Sequence, residues 1–158
     1  DGNNKPHGIL HYGNEVVERV DVEEEGSINA EDILKLINKL DEYYLSNATF
    51  LMHRTTLSAI QNLRDGNDRF LWQASMSENV PGTLFGIPVV CSSDMPIFQG
   101  GNLSIILGDF KAGYKIVDKV GIYSLRDQYT EKPFIKFYTV KRVGGDVVVP
   151  AAIKVLKV

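Results

Sequence analysis

The chain holds a single cysteine, Cys91, in 158 residues. One thiol excludes an internal disulfide framework and suits a reducing compartment. No apolar run approaches the roughly 18 residues of a membrane-spanning helix, so no membrane partner is expected. No Lys/Arg run marks a nucleic-acid footprint, and the net charge of −3 disfavours sequence-specific DNA or RNA binding. Internal repeats and low-complexity tracts are absent. No serine sits in a Gly-x-Ser-x-Gly elbow, which removes the sequence mark of one hydrolase class. Gly100-Gly101 and Gly144-Gly145 lack the GxGxxG and Walker spacings and read as turns, so no nucleotide cofactor is implied.

What is present is ordinary for a globular protein: 44% apolar and 23% charged residues, enough in 158 residues for one domain with a real core. Residues 1–8 are rich in Gly, Asn and Pro and read as an extended loop. Residues 14–25 are acidic, with Val16, Val17, Val20 and Val22 interleaved, and read as a loop containing a short strand. A helix opens at the N-cap candidate Asn29, with Glu31 and Asp32 complementing the helix dipole. Its apolar stripe is Ile33, Leu36, Ile37, Leu40 and Tyr44. A strand over 50–52 precedes a second helix over 54–65, with the stripe Leu57, Ile60 and Leu63 and Gly66 as its C′ residue. Strands follow near 86–92, 103–107, 114–118, 122–126, 134–142 and 152–156, punctuated by Gly and Pro. Two helices within a mainly antiparallel strand set predict an α+β domain.

The strand over 134–141 departs from half-buried alternation. One face would carry Phe134, Lys136, Tyr138 and Val140, the other Ile135, Phe137, Thr139 and Lys141. With apolar residues on both faces it needs cover on both sides.

Candidate chemistry is thin. His7, His11 and His53 with Glu15, Glu18 and Asp21 raise a metal site, but Gly8 and Gly13 oppose the helix that would align His7 with His11. Loop histidines are the simpler reading. Cys91 follows Val89 and Val90 and is expected to be a buried small hydrophobe, since nothing supplies a catalytic thiol's His partner. Asp65-Gly66-Asn67-Asp68 lacks the terminal Glu of a calcium loop and reads as a helix-ending turn. Asn47-Ala48-Thr49 has the form of a glycosylation sequon. No catalytic, cofactor or metal residue is assigned, and the chain is not expected to be an enzyme.

A resemblance spans nearly the whole chain. It rests, in order, on Pro6-His7-Gly8-Ile9-Leu10, Leu63-Arg64-Asp65-Gly66-Asn67, Phe70-Leu71-Trp72-Gln73 and Gly82-Thr83-Leu84-Phe85-Gly86-Ile87-Pro88-Val89-Val90. It continues through Gly108-Asp109-Phe110, Gly113-Tyr114, Ile116-Val117-Asp118, Leu125-Arg126-Asp127, Lys141-Arg142-Val143-Gly144-Gly145 and Pro150-Ala151-Ala152-Ile153-Lys154. Each motif is a short turn or strand pattern; their shared order carries the likeness. The chain resembles the major capsid proteins of tailed phages and prophages, the Hong Kong 97-like shell proteins.

That resemblance implies an axial domain with a central mixed or antiparallel sheet flanked by two helices, plus C-terminal strands of a peripheral domain. The implied boundaries are 1–127 for the axial part, with 1–10 as its lead-in, and 128–158 for the peripheral strands. It implies a C-terminal fragment whose missing part includes an N-terminal arm, an extended loop and a long helix. Capsomer contacts are expected at the loop carrying Met95, Pro96, Ile97, Phe98 and Gln99 and at the 118–121 turn with Lys119. Phe134, Ile135, Phe137 and Tyr138 are expected to pack the peripheral strand. Without its helix this strand should project from the packed domain or meet a neighbouring molecule, and the packed core should end near Asp127. The family position of His53 implies capping of a helix. The Asn of the Lys–Asn crosslink found in some capsids would lie within 130–134, where there is none, so crosslinking is not supported. The implied role is a subunit of pentamers and hexamers in an icosahedral shell around double-stranded DNA, built in the bacterial cytoplasm, with scaffold, portal and prohead protease as further partners. The alternatives are an encapsulin-type compartment or gene transfer agent shell and, from another class, a small ligand-binding or enzymatic α+β module.

Overall fold

The computed structural model describes residues 5–64, 70, 72–73 and 82–158. Its first strand is β1 (Arg19–Asp21), followed by α1 (Ala30–Asn38), the short α2 (Glu42–Leu45), β2 (Thr49–Met52) and α3 (Arg54–Gln61). The strands β3 (Trp72–Gln73), β4 (Thr83–Leu84), β5 (Ile87–Cys91) and β6 (Leu103–Gly108) come next. After the short α4 (Phe110–Gly113), two long strands follow, β7 (Tyr114–Asp127) and β8 (Lys136–Val147), and the chain closes with β9 (Ile153–Lys157). Seven strands form one mixed sheet in the order β1-β9-β6-β2-β5-β4-β3, while β7 and β8 form a separate two-stranded ribbon. In the sheet β1 runs parallel to β9 and β2 parallel to β5; the other pairs are antiparallel. The α+β expectation, with a central mixed sheet and few helices, matches this architecture.

Local chemistry explains the helices. Asn29 caps α1, and the buried Asp32 carboxylate accepts the Asn29 N–H at 3.1 Å and the Glu23 N–H at 3.4 Å. That second bond ties the acidic loop to the helix start. His53 caps α3 with its side chain accepting the Thr55 N–H at 3.2 Å, as expected of its position. The helix α3 ends at Gln61, earlier than expected, and Gly66 lies outside the described residues.

Alternation along the strands builds two cores. On one face Phe50, Met52, Ile105, Leu107 and Leu156 meet Ile33, Leu36 and Leu40 of the α1 region and Ile60 of α3. Ile37, Leu57 and Leu63 pack against this cluster but keep some exposure. On the other face Ile106, Ile153 and Val155 meet Val17 and Met95, flanked by Ile9, Leu10 and Tyr12. Covered on both sides, β6 is a nearly continuous apolar run, while β9 buries Ile153, Val155 and Leu156 together with Lys154, whose Nζ donates to Glu18. Their backbones lie so close that a Cβ on Gly108 would stand 2.9 Å from Ile153 Cα and closer still to the Ala152 carbonyl.

Three expectations need correction. The packed core does not end near Asp127: it breaks off at Tyr114, where the ribbon leaves, and resumes after Val147, because β9 pairs between β1 and β6 and buries Ile153, Val155 and Leu156 there. The strands expected at 114–118 and 122–126 are one strand, since Gly121 at φ +65° sits in a bulge that lets pairing continue. Cys91 is exposed rather than buried, as the last residue of β5, where the strand emerges from the core.

Candidate assembly surface

The register gives the body two ends. At one, Thr49 opposes Gly108 and Gly108 opposes Ile153, and from here α4 launches the ribbon. At the other, Met52 opposes Cys91 and Leu103 opposes Lys157. The loop over 96–102 closes that second end, its Gly101 N–H donating to the Val158 carbonyl. The acidic loop joins it there, with the Val22 N–H donating to the Lys157 carbonyl at 3.1 Å. Ribbon and loops are therefore at opposite ends of the body.

The loop residues divide by burial. Met95 is 6% exposed and spent on the second core, so it offers nothing to a partner. Pro96 is half-buried. Phe98 is half-buried against the main core, with its N–H donating to Thr55 Oγ1 at 3.3 Å. Ile97 and Gln99 stand exposed, held by the Asn102 amide, which donates to the Ile97 carbonyl at 3.1 Å. Lys119 is not in a turn over 118–121: it lies on β7, just before the bulge. The structure thus does not bring Lys119 together with residues 95–99.

The ribbon is the larger surface. Register pairs Leu125 with Tyr138, Tyr123 with Val140, and Lys119 with Arg142, so these share a face with Val117. The opposite face carries Ile116, Ile122, Phe137 and Val143. Ile116 is 72%, Ile122 70% and Phe137 68% exposed, although a core holds such side chains almost fully buried. Phe134 and Ile135, in the connection before β8, are exposed as well, as is Tyr138. Exposed apolar side chains continue along β7, where Val117 and Tyr123 are uncovered as well.

Charge follows the same division. Residues 114–147 carry seven Lys/Arg against four Asp/Glu, whereas 15–32 carry eight acids and one Arg. In the ribbon Lys136 pairs with Glu131, and Lys141 lies 3.1 Å from Asp118. Lys5, Lys115, Lys141 and Arg142 line a concavity of about 910 Å³ at the ribbon root. In the body, Glu18 accepts from Lys154 at 2.6 Å and Lys39 at 2.8 Å, and these bonds lower its carboxyl to about 2. Among the described residues no group of three His, Cys, Asp or Glu could hold a metal ion, and no helix is long and apolar enough to cross a membrane.

The sequence profile of the phage capsid family matches residues 1–158. The chain belongs to the phage capsid family. It is 34% identical to the capsid of the empty GTA particle, with a TM-score of 0.78 over 99% of this chain and 56% of that one. With the capsid of the native GTA particle it shares 36% identity and a TM-score of 0.77, over 99% of this chain and 62% of that one. The SrpI encapsulin of Synechococcus elongatus shares the fold at 17% identity and a TM-score of 0.62, over 96% of this chain and 56% of that one. No match is found among curated protein sequences. The chain spans about three fifths of the length of the GTA capsid chains. It is a capsid-family protein with a Hong Kong 97-like fold, and its capsid relatives are assembled from repeated subunits.

For a capsid-family protein, sequence reasoning found the apolar ribbon strand but missed its partner face on β7. The signal was there: Ile116-Val117 and Ile122-Tyr123 place apolar residues on adjacent positions, which a half-buried strand avoids. It also missed the side chains that meet at the ribbon root, His7, Tyr12 and Asp146. Asp146 lies more than 130 residues from the other two, which leaves no local pattern to read.

Proposed function

We propose that this protein is a structural subunit that assembles with copies of itself into five- and six-fold capsomers of an icosahedral shell. The observation that carries the reading is the bare ribbon: long strands with exposed apolar side chains on both faces, projecting from a body whose sheet buries Phe50, Ile105, Leu107 and Leu156. A monomer gains nothing from such a surface, and contiguous exposed apolar patches mark interaction sites. The body, with Ile97 and Gln99 at its far end, acts as the axial domain; heterologous contacts between such domains close rings when the rotation closes. The ribbon, 114–147, forms the peripheral layer, with Phe137 and Tyr138 on opposite faces meeting cover from the rest of the assembly. The role is structural rather than enzymatic. The shell encloses double-stranded DNA, is built in the bacterial cytoplasm with scaffold, portal and prohead protease, and ends as the virion capsid.

Between a tailed-phage and a GTA shell, the 34–36% identity to GTA capsids favours the GTA reading. Portal, terminase and protease genes beside the coding gene, with or without lysis and replication genes, separate the two. The shell reading is tested by co-expressing the full-length protein with scaffold and protease and imaging the product by electron microscopy. Closed particles are expected, and Phe137→Ser with Tyr138→Ser should abolish them. Soluble monomers under every assembly condition would overturn the proposal.

A further inference from the structure

The ribbon is joined to the body by more than its two strand ends. Residues 6–12 cross from one to the other. On the body side, Ile9, Leu10 and Tyr12 pack against the second core, and Arg19 Nη2 donates to the Tyr12 carbonyl at 2.6 Å. On the ribbon side, the His7 N–H donates to the Gly145 carbonyl at 2.9 Å, and the Tyr114 hydroxyl donates to the His7 carbonyl at 2.8 Å. Tyr12 then reaches Asp146 with its own hydroxyl.

We propose that residues 6–12 are a strap that sets the direction of the ribbon relative to the body, fastened by a hydrogen-bonded chain from His7 through Tyr12 to Asp146. The order of donors is fixed by counting. Asp146 Oδ1 accepts from the Tyr12 hydroxyl and from the Val147 N–H at 2.7 Å. The Tyr12 proton is thereby used, so His7 Nδ1, 3.0 Å from the Tyr12 oxygen, must be the donor in that contact. Asp146 Oδ2 lies 3.8 Å from His7 Nδ1, which adds a charge attraction when the imidazole is protonated. Tyr12 is the pivot: its ring belongs to the body and its hydroxyl to the ribbon. The Tyr12 phenol is held up at about 12, first by its bond to Asp146, so the fastener stays neutral and donating through the alkaline range. Gly145 permits the close approach, because a Cβ there would stand 2.5 Å from Tyr114 Oη and 3.3 Å from Pro6 Cβ.

The strap stands independently of shell assembly and is tested on this chain alone. Cys91, the only cysteine, is exposed on the body and takes a spin label without further change. A second label goes on the exposed Gln128, beyond the end of β7, as Gln128→Cys. Double electron–electron resonance should give one narrow distance population in the parent chain. Tyr12→Phe keeps the ring in the core and removes the fastener; the population should broaden or split, and exchange protection of the His7 amide should fall roughly tenfold. Asp146→Ala, at an exposed position, should do the same, and the double variant should add little to either. Gly145→Ala should shift the mean distance by wedging the strap outward. Lys119→Ala, outside the strap, should leave all readouts unchanged. If Tyr12→Phe does not fold, Asp146→Ala alone decides. A narrow distribution retained in Asp146→Ala, or a broad one already in the parent chain, overturns the strap.

Discussion

The body and the ribbon are built from similar residues and obey opposite packing rules. In the body, Ile105, Leu107, Ile153 and Leu156 lie under helices or loops and are fully buried. In the ribbon, Ile116, Ile122 and Phe137 occupy the same kind of strand position with nothing over them. Composition therefore does not decide burial; the presence of a second layer does. A two-stranded ribbon is at best marginal alone in water, so this one persists because both strands are anchored in the body at Tyr114 and Val147. The body needs its apolar residues to exist, and the ribbon holds its own for use in association.

The contrast breaks most sharply under truncation. Ile60→Ala should cost about 2–5 kcal/mol of unfolding free energy, since the side chain is fully buried and leaves a cavity. Ile37→Ala should cost less, its side chain being only partly buried. Chemical denaturation measures both; a near-neutral Ile60→Ala would mean that α3 does not pack on the sheet as described. Next comes Gly108→Ala, where the new methyl meets backbone of β9 and overpacking should cost about 1–3 kcal/mol. An unchanged midpoint would show that β6 and β9 separate more easily than their register implies.

A third comparison uses pH. The Glu18 carboxyl lies near 2 in the folded chain against an ordinary 4.5, because Lys154 and Lys39 donate to it. A depressed carboxyl binds more protons when unfolded, so its contribution is complete above about pH 4.5 and fades as pH falls toward 2. Glu18 is partly exposed and screened by solvent, so Glu18→Gln should cost only about 1 kcal/mol at neutral pH. Parent and variant should converge in acid; a gap that persists at pH 2 would place the stabilisation elsewhere. The smallest effect belongs to the ribbon, where Ile122→Ala should change monomer stability by less than about 0.5 kcal/mol. A large loss there would mean that the ribbon is covered in solution.

Much of this was legible in the sequence where the chemistry is local. Asn29 with Asp32 marks the start of α1, and the stripe of Ile33, Leu36 and Leu40 assigns its buried face. The apolar doublets of 134–141 announced a strand wanting cover on both faces. What stayed hidden depended on partners distant in sequence. Whether Cys91 is buried depends on where the layer above β5 stops, and Met95 turned inward because Ile106 and Ile153 receive it. The place of β9 inside the sheet, after an excursion of 34 residues through β7 and β8, was invisible for the same reason.

The bulge in β7 carries an arithmetic consequence. Lys119 opposes Arg142 and Ile122 opposes Lys141, so Val120 and Gly121 are two residues with no counterpart on β8. Two is an even number, and strand faces alternate with period two. Val117 and Leu125 therefore stay on the same side of the ribbon across the interruption. Deleting both residues would close the ladder with every flanking side chain on its original side. Deleting one would leave an odd count, to be absorbed by a one-residue bulge or by turning the outer half over. By register alone, removing two residues at this point should disturb the ladder less than removing one.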